Sequence, residues 1–317
     1  MEKRTLGRSA IEVAPLALGG NVFGWTIDES QSFQILDRFA GGDFNLIDTA
    51  DVYSNWLPGN KGGESETIIG NWMKERGNRN QVVIATKVGS SMERGEKKQL
   101  SKKYILTAIE DSLKRLQTDY IDLYQSHYDD LQTHPQETLE AYATLIQRGK
   151  IRWIGASNLN AERLTLSLKV SDKLELPRYA TFQPQYNLYD REEFETTTGP
   201  VCQQYELSVI PYYGLASGFL TGKYRSENDL NKSPRGQGIK KYLNERGYRI
   251  LAALDSVAER YHSTPAIVSL AWLMSKPGIT APIASATTVQ QMDELMKAAT
   301  ITLDIEAMEE LNRASEY

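Results

Sequence analysis

Cysteine is almost absent from the sequence, since Cys202 is the single one in a chain of 317 residues. No internal disulfide can form, which fits a reducing compartment. Nothing near Cys202 in the sequence marks it as a nucleophile. We therefore interpret it as a small residue that packs inside a helix.

An excess of positive charge is also missing. The chain has 36 Lys and Arg against 41 Asp and Glu, which gives a net charge of −5 at pH 7. This balance argues against an extended basic face for nucleic acid, although it permits a local basic pocket for one phosphate group.

Long hydrophobic runs are missing as well. The N-terminal segment MEKRTLGRSAIEV contains no apolar stretch long enough for a signal peptide. No run approaches the roughly 18 apolar residues of a membrane span. We therefore predict a cytoplasmic protein that has neither nucleic acid nor a membrane as a partner. The oligomeric state is left open by the sequence.

What the sequence does contain is a repeated alternation of short apolar segments with longer amphipathic ones. Strand followed by helix, eight times over, predicts a parallel sheet covered by helices. Eight such units predict closure into a (β/α)8 TIM barrel, a fold of about 250 residues plus insertions. Residues 5–13 resemble a β-hairpin, and residues 304–316 resemble an extra C-terminal helix.

We therefore predict an α/β protein with one domain over residues 1–317, an N-terminal β-hairpin and extra C-terminal helices. The alternative is an open, doubly wound sheet. That fold favours a GxGxxG turn after an early strand, and the segment LALGGNVFG at 16–24 is a poor match to it.

Polar residues end six consecutive predicted strands. In chain order they are Asp48, Lys87, His127, Asn158, Gln183 and Tyr212. One polar residue at a strand end is weak support, because loops usually begin with polar residues. A barrel, however, brings all six carboxyl ends to one mouth, where the active sites of such folds lie. The set therefore predicts a site at that mouth, and no metal site.

The residue types suit reduction of a carbonyl group. Tyr53 lies five residues after Asp48, so both side chains can reach the same cavity. A phenol can donate a proton to the carbonyl oxygen, but its free pKa of about 10 is high. We expect the ammonium of Lys87 to lower the pKa of Tyr53. Asp48 would hold Lys87 by an ion pair, and His127 would orient the substrate oxygen.

Several motifs around these residues resemble the aldo-keto reductase superfamily. They are DTADVY with GGESETIIG, IATKVG, DYIDLYQSHYDD, IRWIGASN, FQPQYNLYDR and YYGLASGFLTGKY. The resemblance covers nearly the whole chain, in several independent places. It implies a catalytic set of Asp48, Tyr53, Lys87 and His127.

The same resemblance implies a nicotinamide cofactor. Ser157, Asn158 and Gln183 would bind its carboxamide, and Tyr212 would stack on the nicotinamide ring. The pyrophosphate would be held by Leu215, Ser217, Gly218, Leu220 and Lys223. The adenosine end would be held by Ser285, Gln291 and Glu294. Backbone amides at a helix start are suited to phosphate.

Three departures from the family pattern stand out. The common Tyr-Ser-Pro-Leu of the cofactor loop reads Tyr-Tyr-Gly-Leu here, at residues 212–215. The segment ASATTVQQ lacks the Lys and Arg that many relatives place near the 2′-phosphate, and Leu295 replaces a frequent asparagine. Relatives with Gln at the position of Gln291 use NADPH. We therefore favour NADPH, and NADH stays open.

The substrate pocket is predicted from aromatic residues that follow strand ends. These are Phe23, Trp25, Trp56 and Tyr128. Packing on the barrel rim without substrate contact is the alternative. We also expect residues 223–241 to fold over the bound cofactor as a lid.

The sequence thus predicts an NAD(P)H-dependent enzyme that reversibly reduces an aldehyde or ketone, a small-molecule carbonyl substrate, to an alcohol. One alternative is a redox-sensing binding protein of the potassium-channel β-subunit type. The other is a barrel isomerase or lyase without a redox step.

Overall fold

Eight parallel strands form the centre of the computed structural model, which describes residues 2–91, 98–232 and 236–317. They follow a two-stranded antiparallel hairpin, β1 and β2. The strands are β1 Arg4–Thr5, β2 Glu12–Val13, β3 Ala17–Gly19, β4 Leu46–Asp48, β5 Val83–Val88, β6 Ile121–Ser126, β7 Ile151–Ser157, β8 Thr181–Gln183, β9 Ser208–Val209 and β10 Ile283–Ala284.

The parallel sheet has the order β10-β3-β4-β5-β6-β7-β8-β9. Its two ends meet through backbone hydrogen bonds. The Val209 amide donates to the Gly278 carbonyl at 3.0 Å, and the Thr280 amide donates to Val209 at 2.8 Å. Another bond joins the Ile283 amide to the Pro211 carbonyl. The sheet therefore closes into a barrel, and the predicted (β/α)8 fold is confirmed.

Helices follow the strands around the outside. They are α1 Glu29–Ala40, α2 Glu64–Arg76, α3 Lys102–Leu116, α4 Pro135–Gln147, α5 Ala161–Leu174, α6 Gly199–Gln204, α7 Glu245–Arg260, α8 Pro265–Met274, α9 Val289–Lys297 and α10 Ile305–Ala314. Local sequence fixes their starts: Asp28 caps α1, and Thr264 with Pro265 begins α8. Helix α7 and the C-terminal helix α10 pack together as additions to the repeat.

The inside of the barrel is filled by small and branched side chains. Leu46, Ala85 and Leu123 come from neighbouring strands, while Leu6 and Val13 come from the hairpin. The hairpin therefore acts as an apolar plug at the amino-terminal end of the barrel. Arg4 fixes it there, because its guanidinium donates to the carbonyls of Ile279 and Met274 at 3.0 Å each.

Along the strands, the side chains that face the inside of the barrel change from apolar, next to the plug, to polar at the carboxyl-terminal mouth. Residues two apart on a strand face the same side. Leu46 therefore shares the inner face with Asp48, and Ala85 shares it with Lys87. No helix in the described part of the chain is long and apolar enough to cross a bilayer.

Candidate active site

Lys87 lies at the centre of the mouth and is fully buried. Its ammonium donates to Asp48 Oδ2 at 2.6 Å, to the Thr49 carbonyl at 2.9 Å and to the Tyr53 hydroxyl oxygen at 2.7 Å. An ammonium has three protons to donate, so all of them are used. The Tyr53 oxygen is therefore an acceptor from Lys87, and its own proton is left for another acceptor.

The turn that follows β4 carries Tyr53 back over the mouth. Ser54 next to it has a left-handed backbone, with φ of 74°, and its hydroxyl donates to the Phe23 carbonyl at 2.8 Å. Asn60 ties the same turn down by donating to the Ser54 carbonyl. These local bonds position the phenol against the ammonium.

Burial dominates the electrostatics of this group. It raises the pKa of Tyr53 well above the usual value of 10.0, and the Asp48 carboxylate raises it further. Burial lowers the pKa of Lys87, while Asp48 opposes that change. The net pKa of Tyr53 is therefore raised, whereas the sequence predicted that Lys87 would lower it. A phenol that stays protonated at neutral pH is suited to donate a proton.

His127 follows β6 and is buried beside Tyr53, with ring centroids 6.1 Å apart. Burial, then the charges of Lys87 and Lys98, lower its pKa well below 6.5, so the imidazole is neutral. Its Nδ1 atom has no hydrogen-bond partner among the described residues. Tyr128 stacks on the imidazole at 4.7 Å and limits its orientation.

Asp48 is held on its other side by amides. Gln183 Nε2 donates to Asp48 Oδ1 at 2.8 Å, and Gln125 Nε2 does so at 3.3 Å. Our sequence reasoning missed Gln125, because it considered only strand ends. The alternation of β6 contains the signal, since Gln125 precedes His127 by two positions on the same face.

Three of the residues predicted to bind nicotinamide form one hydrogen-bonded chain with Gln183. Ser157 Oγ donates to the Gln183 carbonyl at 2.7 Å, and Asn158 Nδ2 donates to the His127 carbonyl at 2.9 Å. The Tyr212 hydroxyl donates to Asn158 Oδ1 at 2.8 Å. The structure thus brings these residues together beside His127, and fixes the orientation of Tyr212.

The predicted pyrophosphate residues share one irregular loop. The loop comprises Leu215, Ser217, Gly218, Leu220 and Lys223, and both Ser217 and Gly218 have positive φ. Leu220 is fully buried and anchors the loop in the core. The Lys223 ammonium lies against Gly218, since a Cβ there would be 3.7 Å from Nζ. A cation therefore accompanies the loop amides.

The residues predicted for the adenosine end lie just after β10 and on helix α9. Ser285 Oγ donates to Asn21 Oδ1 at 2.6 Å. Gln291, in the first turn of α9, accepts from the Thr287 amide at 2.9 Å, while Glu294 accepts from the Thr264 hydroxyl at 2.6 Å. Gln291 and Glu294 are thus three positions apart on α9, while Ser285 is bonded to Asn21, which follows β3.

A groove of about 350 Å³ leads to the mouth. Its lining comprises Asn21, Trp25, Trp56, Tyr213 and Ser217. Trp25 and Trp56 meet edge to face at 5.3 Å. Phe23, in contrast, is fully buried in the hydrophobic core, so the structure does not place it on this groove.

Sequence reasoning missed Asn21 and Tyr213 on this groove. Asn21 follows β3, so the strand-end rule should have included it. Tyr213 follows Tyr212 directly. The only sequence signal for it was that it replaces the serine of the common Tyr-Ser-Pro-Leu motif.

The described part of the predicted lid is packed rather than extended. Within 223–241, Leu230 and Ile239 are buried, and Lys232 donates to the Lys223 carbonyl at 2.9 Å. Residues 233–235 lie outside the described residues. Closure over a cofactor stays a prediction.

A second buried charge cluster lies behind Lys87. Glu66 Oε2 accepts from Arg115 Nε at 2.7 Å, and Glu66 Oε1 accepts from the Thr86 hydroxyl at 2.5 Å. Asp51 is buried nearby, and no side chain within the described ranges donates a hydrogen bond to its carboxyl oxygens. Burial, and then the Glu66 charge, raise the pKa of Asp51 well above 3.8. The folded protein therefore favours the protonated form of this acid more than the unfolded chain does.

Comparison with known proteins agrees with the geometry. The chain matches the aldo/keto reductase family over residues 15–316 and belongs to it. It is 34 % identical to the uncharacterized oxidoreductase YrpG of Bacillus subtilis, over 98 % of this chain and 95 % of that protein. It is 32 % identical to the aldo-keto reductase YhdN of the same organism, over 98 % and 93 %.

A relative of another kind is a probable voltage-gated potassium channel subunit beta of Oryza sativa. It is 32 % identical over 94 % of this chain and 91 % of that protein. The resemblance to the family is thus confirmed, and the protein is an NAD(P)H-dependent oxidoreductase.

Proposed function

We propose that the protein reversibly reduces an aldehyde or ketone, with NADPH as the hydride donor and Tyr53 as the proton donor. The observation that carries this proposal is the arrangement of hydrogen bonds at Lys87. Its ammonium donates to the Tyr53 oxygen at 2.7 Å, so the phenolic proton can point into the mouth.

The residues at the mouth divide the work of the reaction. A bound cofactor supplies the hydride that reaches the carbonyl carbon. Tyr53 gives its proton to the carbonyl oxygen, which completes the alcohol. Lys87 stabilises the negative charge that is left on the phenol oxygen, and Asp48 keeps Lys87 in place. Neutral His127 fixes the substrate oxygen by a hydrogen bond.

The chain offers suitable groups for a nicotinamide dinucleotide. Side-chain amides and hydroxyls of Ser157, Asn158 and Gln183 match the hydrogen-bonding needs of a carboxamide. Loop amides at Ser217 and Gly218, with the ammonium of Lys223 beside them, match a pyrophosphate. Gln291 at the start of α9 favours NADPH by family resemblance.

The test is a pair of cofactor titrations followed by turnover. Quenching of tryptophan fluorescence by NADPH and by NADH gives the two dissociation constants. We expect tighter binding of NADPH, and steady oxidation of NADPH with 4-nitrobenzaldehyde. Absence of binding by both cofactors would contradict the proposal, and tighter binding of NADH would correct the cofactor.

Relatives that are named channel β subunits favour a second candidate, a nucleotide-binding subunit of a membrane channel. The complete Asp48–Lys87–Tyr53 arrangement supports the enzyme instead. Cofactor binding without turnover of any tested carbonyl would favour the second candidate.

A further inference from the structure

Lys98 is a cation beside the mouth that has no role in the proposed reaction. Its side chain is exposed. Its ammonium lies 4.4 Å from the centre of the Tyr128 ring, and that ring stacks on the imidazole of His127 with centres 4.7 Å apart, so the ammonium lies within about 9 Å of the imidazole. A positive charge is therefore close to the group that would hold the substrate oxygen.

The backbone next to Lys98 is fixed by hydrogen bonds to two neighbouring units of the barrel. The Gln99 amide donates to the carbonyl of Gly89, just after β5, at 3.2 Å. The Leu100 amide donates to Asp130 Oδ2, in the loop after β6, at 2.9 Å. Both contacts are local anchors for the chain. They hold Lys98 at a defined place beside the loop after β6.

The negative charges of that loop already have other partners. Asp129 accepts from Arg163 Nε at 2.8 Å. Asp130 accepts from the Leu100 amide and from two further donors in its own loop. Among the residues that the structure describes, no carboxylate forms an ion pair with Lys98. Its charge is therefore available for a bound anion.

The charge of Lys98 acts on the reacting end of the mouth. After burial and the charge of Lys87, it is the next cause that lowers the pKa of His127. Lys87 itself is fully used by its contacts inside the mouth. The protein as a whole has a net charge of −5 and repels anions at long range. A cation at this position would offset that repulsion locally.

We propose that Lys98 binds an anionic group of the substrate, so that the protein prefers aldehydes or ketones that carry a carboxylate a few carbon atoms from the carbonyl group. This inference rests on the proposed carbonyl reduction. The carbonyl oxygen would lie at Tyr53 and His127, and the carboxylate would lie beside the Lys98 ammonium. A charge-assisted hydrogen bond would then join the two charged groups.

The test compares 4-oxobutanoate with its methyl ester in the wild type and in two variants. The acid and the ester share the aldehyde group and the chain length, but only the acid carries a negative charge at neutral pH. Lys98→Met removes the positive charge and keeps a long unbranched side chain, whereas Lys98→Arg keeps the charge. Differences in intrinsic reactivity cancel when the acid-to-ester ratio of kcat/KM is compared between proteins.

We expect this ratio to fall about three- to tenfold in Lys98→Met and to stay within about twofold of the wild type in Lys98→Arg. Added salt should lower the ratio in the wild type but hardly in Lys98→Met, because dissolved ions screen an exposed charge. Lys74→Met is the matched control, since Lys74 is exposed in the last turn of α2, at the opposite end of the barrel. Its ratio should equal that of the wild type.

An unchanged ratio in Lys98→Met would overturn the proposal and leave Lys98 as a solvated surface residue. Equal losses with the acid and the ester would also overturn it, because Lys98 would then act on His127 and not on the charge of the substrate.

Failure of the proposed function would give a different result, since the wild type would then reduce neither aldehyde. In that case the anion site is tested by binding of 4-hydroxybutanoate, followed through tryptophan fluorescence. We expect weaker binding to Lys98→Met than to the wild type and to Lys74→Met. Equal binding to all three proteins would overturn the site.

Discussion

The two ends of the barrel differ in how many hydrogen bonds their buried carboxyl groups accept. At the amino-terminal end, Asp122 accepts from Arg79 at 2.7 Å, from Arg152 at 2.9 Å and from the Ile84 amide at 3.0 Å. Behind Lys87, toward the carboxyl ends of the strands, Asp51 is equally buried, but no side chain in the described part of the chain donates a hydrogen bond to its oxygens.

This difference separates a region built for stability from one built for chemistry. A buried carboxyl without a side-chain partner costs free energy, so its presence beside Lys87 is not explained by folding. Uncompensated groups and left-handed residues are expected at functional sites, and barrels place these sites at the carboxyl ends of their strands. Changes at the proton-donating group should therefore lower turnover, whereas changes at the base should lower stability.

The largest effect is expected at the mouth, from Lys87→Met. This change removes the ammonium that stabilises the phenol oxygen of Tyr53. We expect kcat for a carbonyl substrate to fall by about 10²–10⁴-fold, as for loss of acid–base catalysis. Lys150→Met is the control at the base, where the lysine pairs with Glu110 at the surface and kcat should be unchanged. Equal kcat in both variants would remove the distinction between the two ends.

The apolar plug should show the reverse behaviour. Leu6 is buried inside the base of the barrel, so Leu6→Ala should lower the free energy of unfolding by about 2–5 kcal/mol. We expect kcat to stay within about twofold at a temperature where the variant is folded. Leu131→Ala, at a residue that is 77 % exposed, is the control and should leave denaturant unfolding unchanged. A large loss of kcat in folded Leu6→Ala would contradict the division.

Substitution of the two buried aspartates by asparagine should change the free energy of unfolding in opposite directions. Asp122→Asn weakens two ion pairs and should destabilise the protein by about 1–3 kcal/mol at pH 7. Asp51→Asn should stabilise it at pH 7. Because the Asp51 pKa is raised on folding, the wild type loses stability as pH rises above about 3.8, and asparagine has no proton to lose.

Denaturant unfolding of both variants at several pH values checks this prediction. The gain from Asp51→Asn should be present at pH 7 and should vanish near the pH at which the unfolded carboxyl is protonated. Destabilisation by Asp51→Asn at pH 7, of the same size as for Asp122→Asn, would mean that Asp51 is ionised and paired.

The smallest effect is expected from pH on the reduction itself. The pKa of His127 is lowered and the pKa of Tyr53 is raised, both mainly through burial. His127 therefore stays neutral and Tyr53 stays protonated between about pH 6.5 and about pH 9. With saturating cofactor, kcat for reduction should be nearly constant over this range. An inflection near pH 6.5 would indicate that His127 titrates and is more solvated than the structure shows.

The strands and helices of the barrel, and the main polar residues of its mouth, could be predicted from the sequence. Hydrophobic alternation predicted the strands and helices, and strand-end polarity predicted that Asp48, Lys87 and His127 meet. Both inferences follow from periodic geometry, which one sequence displays directly. Phe23 shows the limit of this rule, because a residue beyond a strand end can turn into the core instead of the groove.

What could not be predicted depends on three-dimensional packing of side chains. The sequence suggested a lowered pKa for Tyr53 because it revealed a nearby lysine but not the extent of burial. It gave no indication that Asn158 accepts from Tyr212, since residues 54 positions apart show no pairing pattern. The position of Tyr213 on the groove depends on its left-handed backbone, which the sequence did not indicate.

The most direct test of the account is the rate of hydride transfer in a single turnover of Tyr53→Phe with NADPH and an aldehyde. The variant keeps the ring and the Asp48–Lys87 pair and loses only the hydroxyl. We expect NADPH to bind as tightly as in the wild type, and the transfer rate to fall by about 10²–10⁴-fold. Tyr248→Phe should react at the wild-type rate. An undiminished rate in Tyr53→Phe would contradict the central claim that this phenol supplies the proton.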